Sequence, residues 1–180
     1  MTKSSVQTLS SIAVSVMLIA GVATDVAAQA GTSPIIPEMK QFYTIRKLDL
    51  LRAADRMPAD GYGFKPTPDI RTFAELLGHI IDTQMGFCSA VNGQPKNLKA
   101  GAMTTKADLM AALKTSFDEC DKGFDSMTDA SAKEMLKAGN GQRSKLGTLL
   151  YATLHDNEEY GYLAMYLRLK GLVPPSTDSR

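Results

Sequence analysis

Apolar residues recur along this chain at intervals of three and four, and in four stretches the recurrence lasts long enough to predict an α-helix. The first stretch runs from Pro37 to Arg56, with Phe42, Ile45, Leu48 and Leu51 on the expected inward face, and it breaks at Met57-Pro58-Ala59-Asp60-Gly61. Lys65-Pro66-Thr67-Pro68 then keeps the connection extended. The second helix opens on a capping box, Thr72 with Glu75, and runs to Val91 before Asn92-Gly93 ends it. The third starts near Thr105, with Asp108 as its second box residue, and carries Leu109, Leu113, Phe117, Cys120 and Phe124 along one face towards Met127. Residues 128–143 read as a loop with one short helix around Ala132 to Lys137. Ser144 caps the last helix, which runs to Lys170 and stops at Gly171, with Pro174 and Pro175 forbidding continuation. Strand-like alternation is nearly absent, so the pattern predicts an all-α fold.

The link between the second and third helices, residues 93–104, is longer than an antiparallel pair needs. It is long enough to return along a helix and start a parallel neighbour. That choice decides what Cys88 and Cys120, the only cysteines, can do. In the parallel arrangement they lie at nearly equal height; in the antiparallel one they are separated by more than ~10 Å along the axis, too far for a disulfide. A disulfide therefore requires the crossover, and two buried free thiols are the alternative.

The N-terminus changes the picture of where the domain begins. Lys3, the apolar stretch Ile12 to Ala23 and the small-residue site Ala28-Gln29-Ala30 read as a secretory signal over residues 1–30, leaving one domain from Gly31 to Arg180. The apolar stretch is short of the roughly 20 residues a membrane span needs. The mature protein is therefore expected to be periplasmic or secreted without a stable membrane anchor, an uncleaved anchor being the alternative. Export permits a disulfide. With 20 basic against 19 acidic residues the chain lacks the positive excess of a nucleic-acid surface.

The candidate chemistry rests on the only two histidines, His79 and His155. His155 and Glu159 are four apart and share one face of the last helix. His79 shares a face of the second helix with Glu75, Thr83, Gly86 and Ala90, where small residues leave room beside the imidazole. A carboxylate facing an interior needs a partner, and a divalent metal held by His79, His155 and Glu159 would supply one, leaving positions open for water or substrate. A buried hydrogen-bond cluster of the same three residues is the metal-free alternative. Glu75 or Asp82 could orient His79 through its second nitrogen, and Tyr162 and Tyr166 could line the pocket. Glu158 points away and reads as a solvated charge. Cys88 lies on the side of its helix opposite His79 and is excluded as a ligand.

Three stretches resemble the DinB-like metalloenzymes of the YfiT type: Lys65-Pro66-Thr67-Pro68 with Thr72-Phe73-Ala74-Glu75-Leu76-Leu77-Gly78-His79-Ile80; His155-Asp156-Asn157-Glu158-Glu159-Tyr160-Gly161; and Tyr166-Leu167-Arg168-Leu169-Lys170-Gly171-Leu172-Val173-Pro174-Pro175-Ser176. The resemblance covers essentially the whole mature chain. It implies a four-helix bundle of down-up-up-down type with a crossover between helices two and three. It also implies a divalent metal on three histidines, one on helix two and an H-x-x-x-H pair on the last helix. His79 and His155 match two of those positions, and Glu159 stands at the third, where histidine is usual. A harder, anionic ligand shifts preference towards iron, manganese or nickel, although zinc accepts the same set. Relatives include thiol-dependent transferases and isomerases whose thiols are cytoplasmic, a chemistry an exported member is poorly placed to use. The expectation is thus a metal-dependent hydrolase or transferase acting on a small-molecule substrate. A non-catalytic helical bundle that binds a ligand or partner without metal is the alternative, and homodimerisation is compatible with either.

Overall fold

The computed structural model describes residues 34–178. The signal segment expected over residues 1–30 lies outside them. Within the described residues are four helices, α1 (Ile35–Arg56), α2 (Phe73–Val91), α3 (Lys106–Asp125) and α4 (Lys145–Leu169), and one antiparallel hairpin, β1 (Met135–Ala138) with β2 (Gly141–Ser144). None of these helices is long and apolar enough to cross a membrane.

The helix starts follow their caps. Thr72 Oγ1 accepts from the Glu75 amide at 3.1 Å while Glu75 Oε2 accepts from the Thr72 amide at 2.7 Å, so two otherwise orphaned donors are satisfied reciprocally. Thr105 and Ser144 accept from the amides of Asp108 and Gly147 in the same way. α4 ends at a left-handed Gly171 (φ 73°), the conformation a helix C-terminus favours in glycine.

Two expectations need correction. The inward face of α1 is rotated from the one its large apolar residues mark. Tyr43, Leu50, Ala53 and Ala54 are buried, whereas Phe42 and Leu48 are exposed and Ile45 and Leu51 are half-buried. The reason lies in partners that an apolar count ignores. Tyr43 earns burial by donating its hydroxyl to the Phe117 carbonyl and Asp121, Asp49 is buried beside Arg46 at 2.8 Å, and two alanines allow close helix approach. Secondly, residues 131–144 form a 3₁₀ turn at Ser131–Lys133 followed by the hairpin, not a short helix. Each strand is four residues long, too short for alternation to register. Gly139 takes positive φ (56°) in the two-residue turn between the paired Ala138 and Gly141, and Gly-Asn between short runs was the available signal.

The core joins all four helices through Leu50, Leu77, Ile80, Phe117 and Leu163, with Tyr62 and Phe73 packed edge to face beneath the α1–α2 connection. Cys88 and Cys120 are joined in a disulfide between α2 and α3, with their Cα atoms 4.8 Å apart. Nearby, Asn92 donates to the Glu119 carbonyl and carboxylate at 2.9 and 2.8 Å, and Lys96 pairs with that carboxylate at 3.0 Å. The C-terminal halves of α2 and α3 therefore meet.

At the other end of α2, the link to α3 is clamped against the helix. A Cβ on Gly78 would lie 2.5 Å from the Ala100 carbonyl oxygen, so only glycine allows the turn at Ala100–Ala102 to come this close. Asp82 accepts from the amides of Ala100 and Gly101, each at 2.9 Å. Disulfide and clamp hold the C-terminal half and the first half of α2, and that fixes where the helix presents His79.

Candidate metal centre

His79 reaches the site from α2, and His155 and Glu159 reach it from α4, one turn apart. The two Nε2 atoms are 3.2 Å apart, and Glu159 Oε1 is 3.5 Å from each of them. The imidazoles meet edge to face, with ring centroids 5.1 Å apart. The sequence-derived triad is brought together in full, as the one cluster of this kind among the described residues.

The site is graded from open to closed. The His79 side chain is 34% exposed, His155 15% and Glu159 9%, so access is from the His79 side. An open cleft of about 600 Å³ lies there, lined by Lys65, Arg71, Glu75, His79 and Asp82 among others. Burial pushes the Glu159 carboxyl above its usual range, opposed by the charges of His79 and Arg71. Burial, followed by the neighbouring His79, pushes His155 down, towards the neutral imidazole a metal requires.

The donor set fits a divalent cation on two observations. Glu159 Oε2 and His155 Nδ1 are buried without a hydrogen-bond partner, and a buried anion so poorly satisfied is costly without a nearby positive charge. The spacing also fits. With ligand bonds of about 2.1 Å, donor separations of 3.2 and 3.5 Å correspond to angles of about 100° and 113°, those of one face of a tetrahedron or distorted octahedron.

Other sequence-derived roles are not borne out. Glu75 is engaged by the Thr72 amide and Asp82 by the Ala100 and Gly101 amides, so these carboxylates hold the backbone around the site instead of orienting His79. Tyr162 is 48% exposed on the outer surface and does not line the cleft. Tyr166 is buried and donates to the Arg71 carbonyl at 2.6 Å, fixing the segment that enters α2. Glu158 is exposed, as its position predicts. Arg71 was missed: its charge acts on both Glu159 and His155. Nothing but its place just before the Thr72 cap could have marked it, because the turn that aims it is non-helical.

A bundle carrying two imidazoles and a carboxylate on facing helices is a common frame for a metal centre. The DinB superfamily model matches residues 41–163, and the chain belongs to that superfamily. Two solved structures are similar. A DinB-like protein from Bacillus cereus is 14% identical, with TM-score 0.67, and the match covers 78% of this chain and 95% of that one. A DinB-like protein from Bacillus subtilis is 17% identical, with TM-score 0.60, covering 74% of this chain and 92% of the other. At these identities the likeness establishes the fold. No curated protein matches the sequence.

Proposed function

We propose that this chain is an exported DinB-like metalloprotein in which His79, His155 and Glu159 hold a divalent ion, zinc, nickel, iron or manganese. We read it as a metal-dependent hydrolase or transferase of small molecules. The observation that carries the reading is the convergence of three donor atoms within 3.5 Å on the rim of an open cleft. A bound ion would supply Lewis acidity on the side facing that cleft. Burial of Glu159 and His155 keeps bulk water from the opposite side of the donor set, and Arg71 adds a positive charge on the cleft side.

The same reading takes the bundle as down-up-up-down with a crossover between α2 and α3. It is supported by the disulfide near the C-terminal ends of these two helices and by the link held against the first half of α2. Pairing of Phe87 with Tyr151, and of His79 with Glu159, supports antiparallel α2 and α4. The test of function is elemental analysis of protein purified without a histidine tag from the compartment it is exported to. Stoichiometric metal that His155→Ala removes is expected; metal-free protein, or metal retained by that variant, refutes the proposal. Recovery of a mature chain beginning at Gly31 tests export.

The direct contact between the two imidazoles favours one alternative, a metal-free hydrogen-bonded cluster in a ligand-binding bundle. In that case His155→Ala destabilises the protein equally with and without chelator.

A further inference from the structure

A second cleft lies between α2 and α4, beyond the triad. Its floor continues along α2 from Asp82 and Thr83 to Gly86, its roof is the β1–β2 hairpin, and its volume is about 340 Å³, within the range of small-ligand clefts. Asp82 borders both this space and the cleft at His79. At ~1.5 Å per residue, Thr83 and Gly86 lie about 6 and 10 Å along the helix from His79.

The space does not result from crowding elsewhere. A Cβ placed on Gly86 would meet nothing within 4 Å, so no neighbour demands glycine there, although a mid-helix glycine costs about 1 kcal/mol relative to alanine. One wall is aromatic: Phe87 meets Tyr151 edge to face at 5.2 Å between centroids. Above it the Arg143 guanidinium stacks 4.0 Å from the Tyr151 ring, and its stem runs over Gly147, where a Cβ would lie 3.2 Å from Arg143 Cγ. Among the described residues Arg143 forms no ion pair. Asp82, the one acidic residue lining the cleft, is already engaged by two backbone amides. The cleft is thus a mainly apolar slot with two cationic side chains in its lining, Lys137 and the ring-stacked Arg143.

We infer that this slot binds a small amphipathic anion, its acyl or aryl body beneath the hairpin over Gly86 and its carboxylate on Arg143, with the other end directed towards His79. A guanidinium held flat on a ring keeps its donors available for bidentate pairing with a carboxylate, and Lys137, on the hairpin side of the same cleft, adds a second positive charge that favours an anion. The claim that the bound molecule is the metal centre's substrate rests on the function proposed above; binding itself needs only the slot.

Calorimetric titration of the full-length, metal-loaded protein with octanoate, octylamine and octanol compares three head groups on one chain. Octanoate is expected to bind at least tenfold more tightly than octylamine, and to bind equally after chelation. Gly86→Leu should abolish octanoate binding with metal content and melting temperature unchanged; Ala138→Leu, filling the slot from the hairpin, serves if the first variant folds poorly. Arg143→Gln should lower octanoate affinity about tenfold, to the level of octanol. Failure of octanoate to bind, equal binding of amine and acid, binding that needs metal, or retention of affinity in the filled variants overturns the inference. Metal content is measured on every sample, so loss of metal with octanoate binding intact counts against the metal centre alone.

Discussion

Replacing Glu159 by glutamine separates the metal centre from a metal-free cluster, because the two readings predict opposite signs in chelated protein. The side chain is 9% exposed and Oε2 has no partner, so without a cation its charge is largely uncompensated. Its carboxyl is held above the usual range by burial. A carboxyl raised in the folded state contributes stability below its unfolded value and loses it as pH rises through the folded value. In chelator at pH 8, Glu159→Gln should therefore stabilise by about 1–2 kcal/mol, the order of a relieved buried polar group, with no gain at pH 4. Metal reverses the ranking. An ion at a hundredfold excess over its Kd stabilises the parent by ~2.7 kcal/mol. If loss of the ligand weakens binding ~100-fold, the variant keeps only ~0.4 kcal/mol. Calorimetric melting at both pH values, with metal and with chelator, reads all four quantities. At about 2–4 °C per kcal/mol for a domain of this size, the lost metal response is about 5–9 °C. A variant that melts lower in chelator, or responds to metal as the parent does, refutes the reasoning.

Three further outcomes test the frame around the site. The disulfide closes a loop of sequence separation 32, so Cys88→Ser with Cys120→Ser should cost about 3–4 kcal/mol of stability, read by denaturant unfolding; a cost below ~1 kcal/mol contradicts the loop-closure account. Gly78→Ala drives a methyl against the Ala100 carbonyl and should destabilise by at least about 2 kcal/mol, whereas Gly86→Ala should be neutral or stabilising. Glu119 is held below the usual carboxylate range, first by Asn92 and then by Lys96, so its contribution is present above its unfolded value and is lost as pH falls through the lower folded one. Glu119→Gln should cost about 1–2 kcal/mol at pH 7 and nothing at pH 2, and a pH-independent cost would sink that assignment.

The residues that chose the site were legible in the chain because helical spacing is a rigid ruler. His155 and Glu159 share a face by arithmetic, and the same arithmetic put Cys88 behind α2, where it bonds Cys120. The capping box at Thr72 and Glu75 fixed the register of His79 to within a residue. What spacing could not supply was anything set by non-local partners. Tyr43 turns the face of α1 because Asp121 on α3 awaits its hydroxyl, and no pattern within α1 records that. The i,i+3 pair of Arg46 with Asp49 was readable within the helix, but not that it would be buried. On its own helix Asp82 reads as a carboxylate that could orient His79; only the folded link shows that its oxygens bind the amides of Ala100 and Gly101. The hairpin, with four residues per strand, carries too few positions for a period of two to emerge, so its role as a roof was invisible.

These non-local contacts also bear on how the centre can hold its geometry before any ion arrives. Bringing a carboxylate and two imidazoles within 3.5 Å costs desolvation and rotamer entropy, so something else must hold α2 against α4. The disulfide secures the C-terminal half of α2, and the Gly78–Ala100 approach with the Asp82 clamp secures the first half. The disulfide lies behind the His79 face. Asp82 borders the cleft, but its oxygens are bound to the link's amides, so both constrain the helix without engaging the donor atoms. On α4, Tyr166 ties the segment before α2 through the Arg71 carbonyl. Destabilising any of these should loosen metal binding through position rather than through chemistry. Tyr166→Phe, which removes one hydroxyl and touches no donor atom, should therefore raise the metal Kd by up to about tenfold, the lower range for groups that position a ligand from outside, while leaving the order of preference among zinc, nickel and manganese unchanged. Competitive titration with a chromophoric chelator measures both, and a changed metal order would mean that Tyr166 acts on the ligands directly.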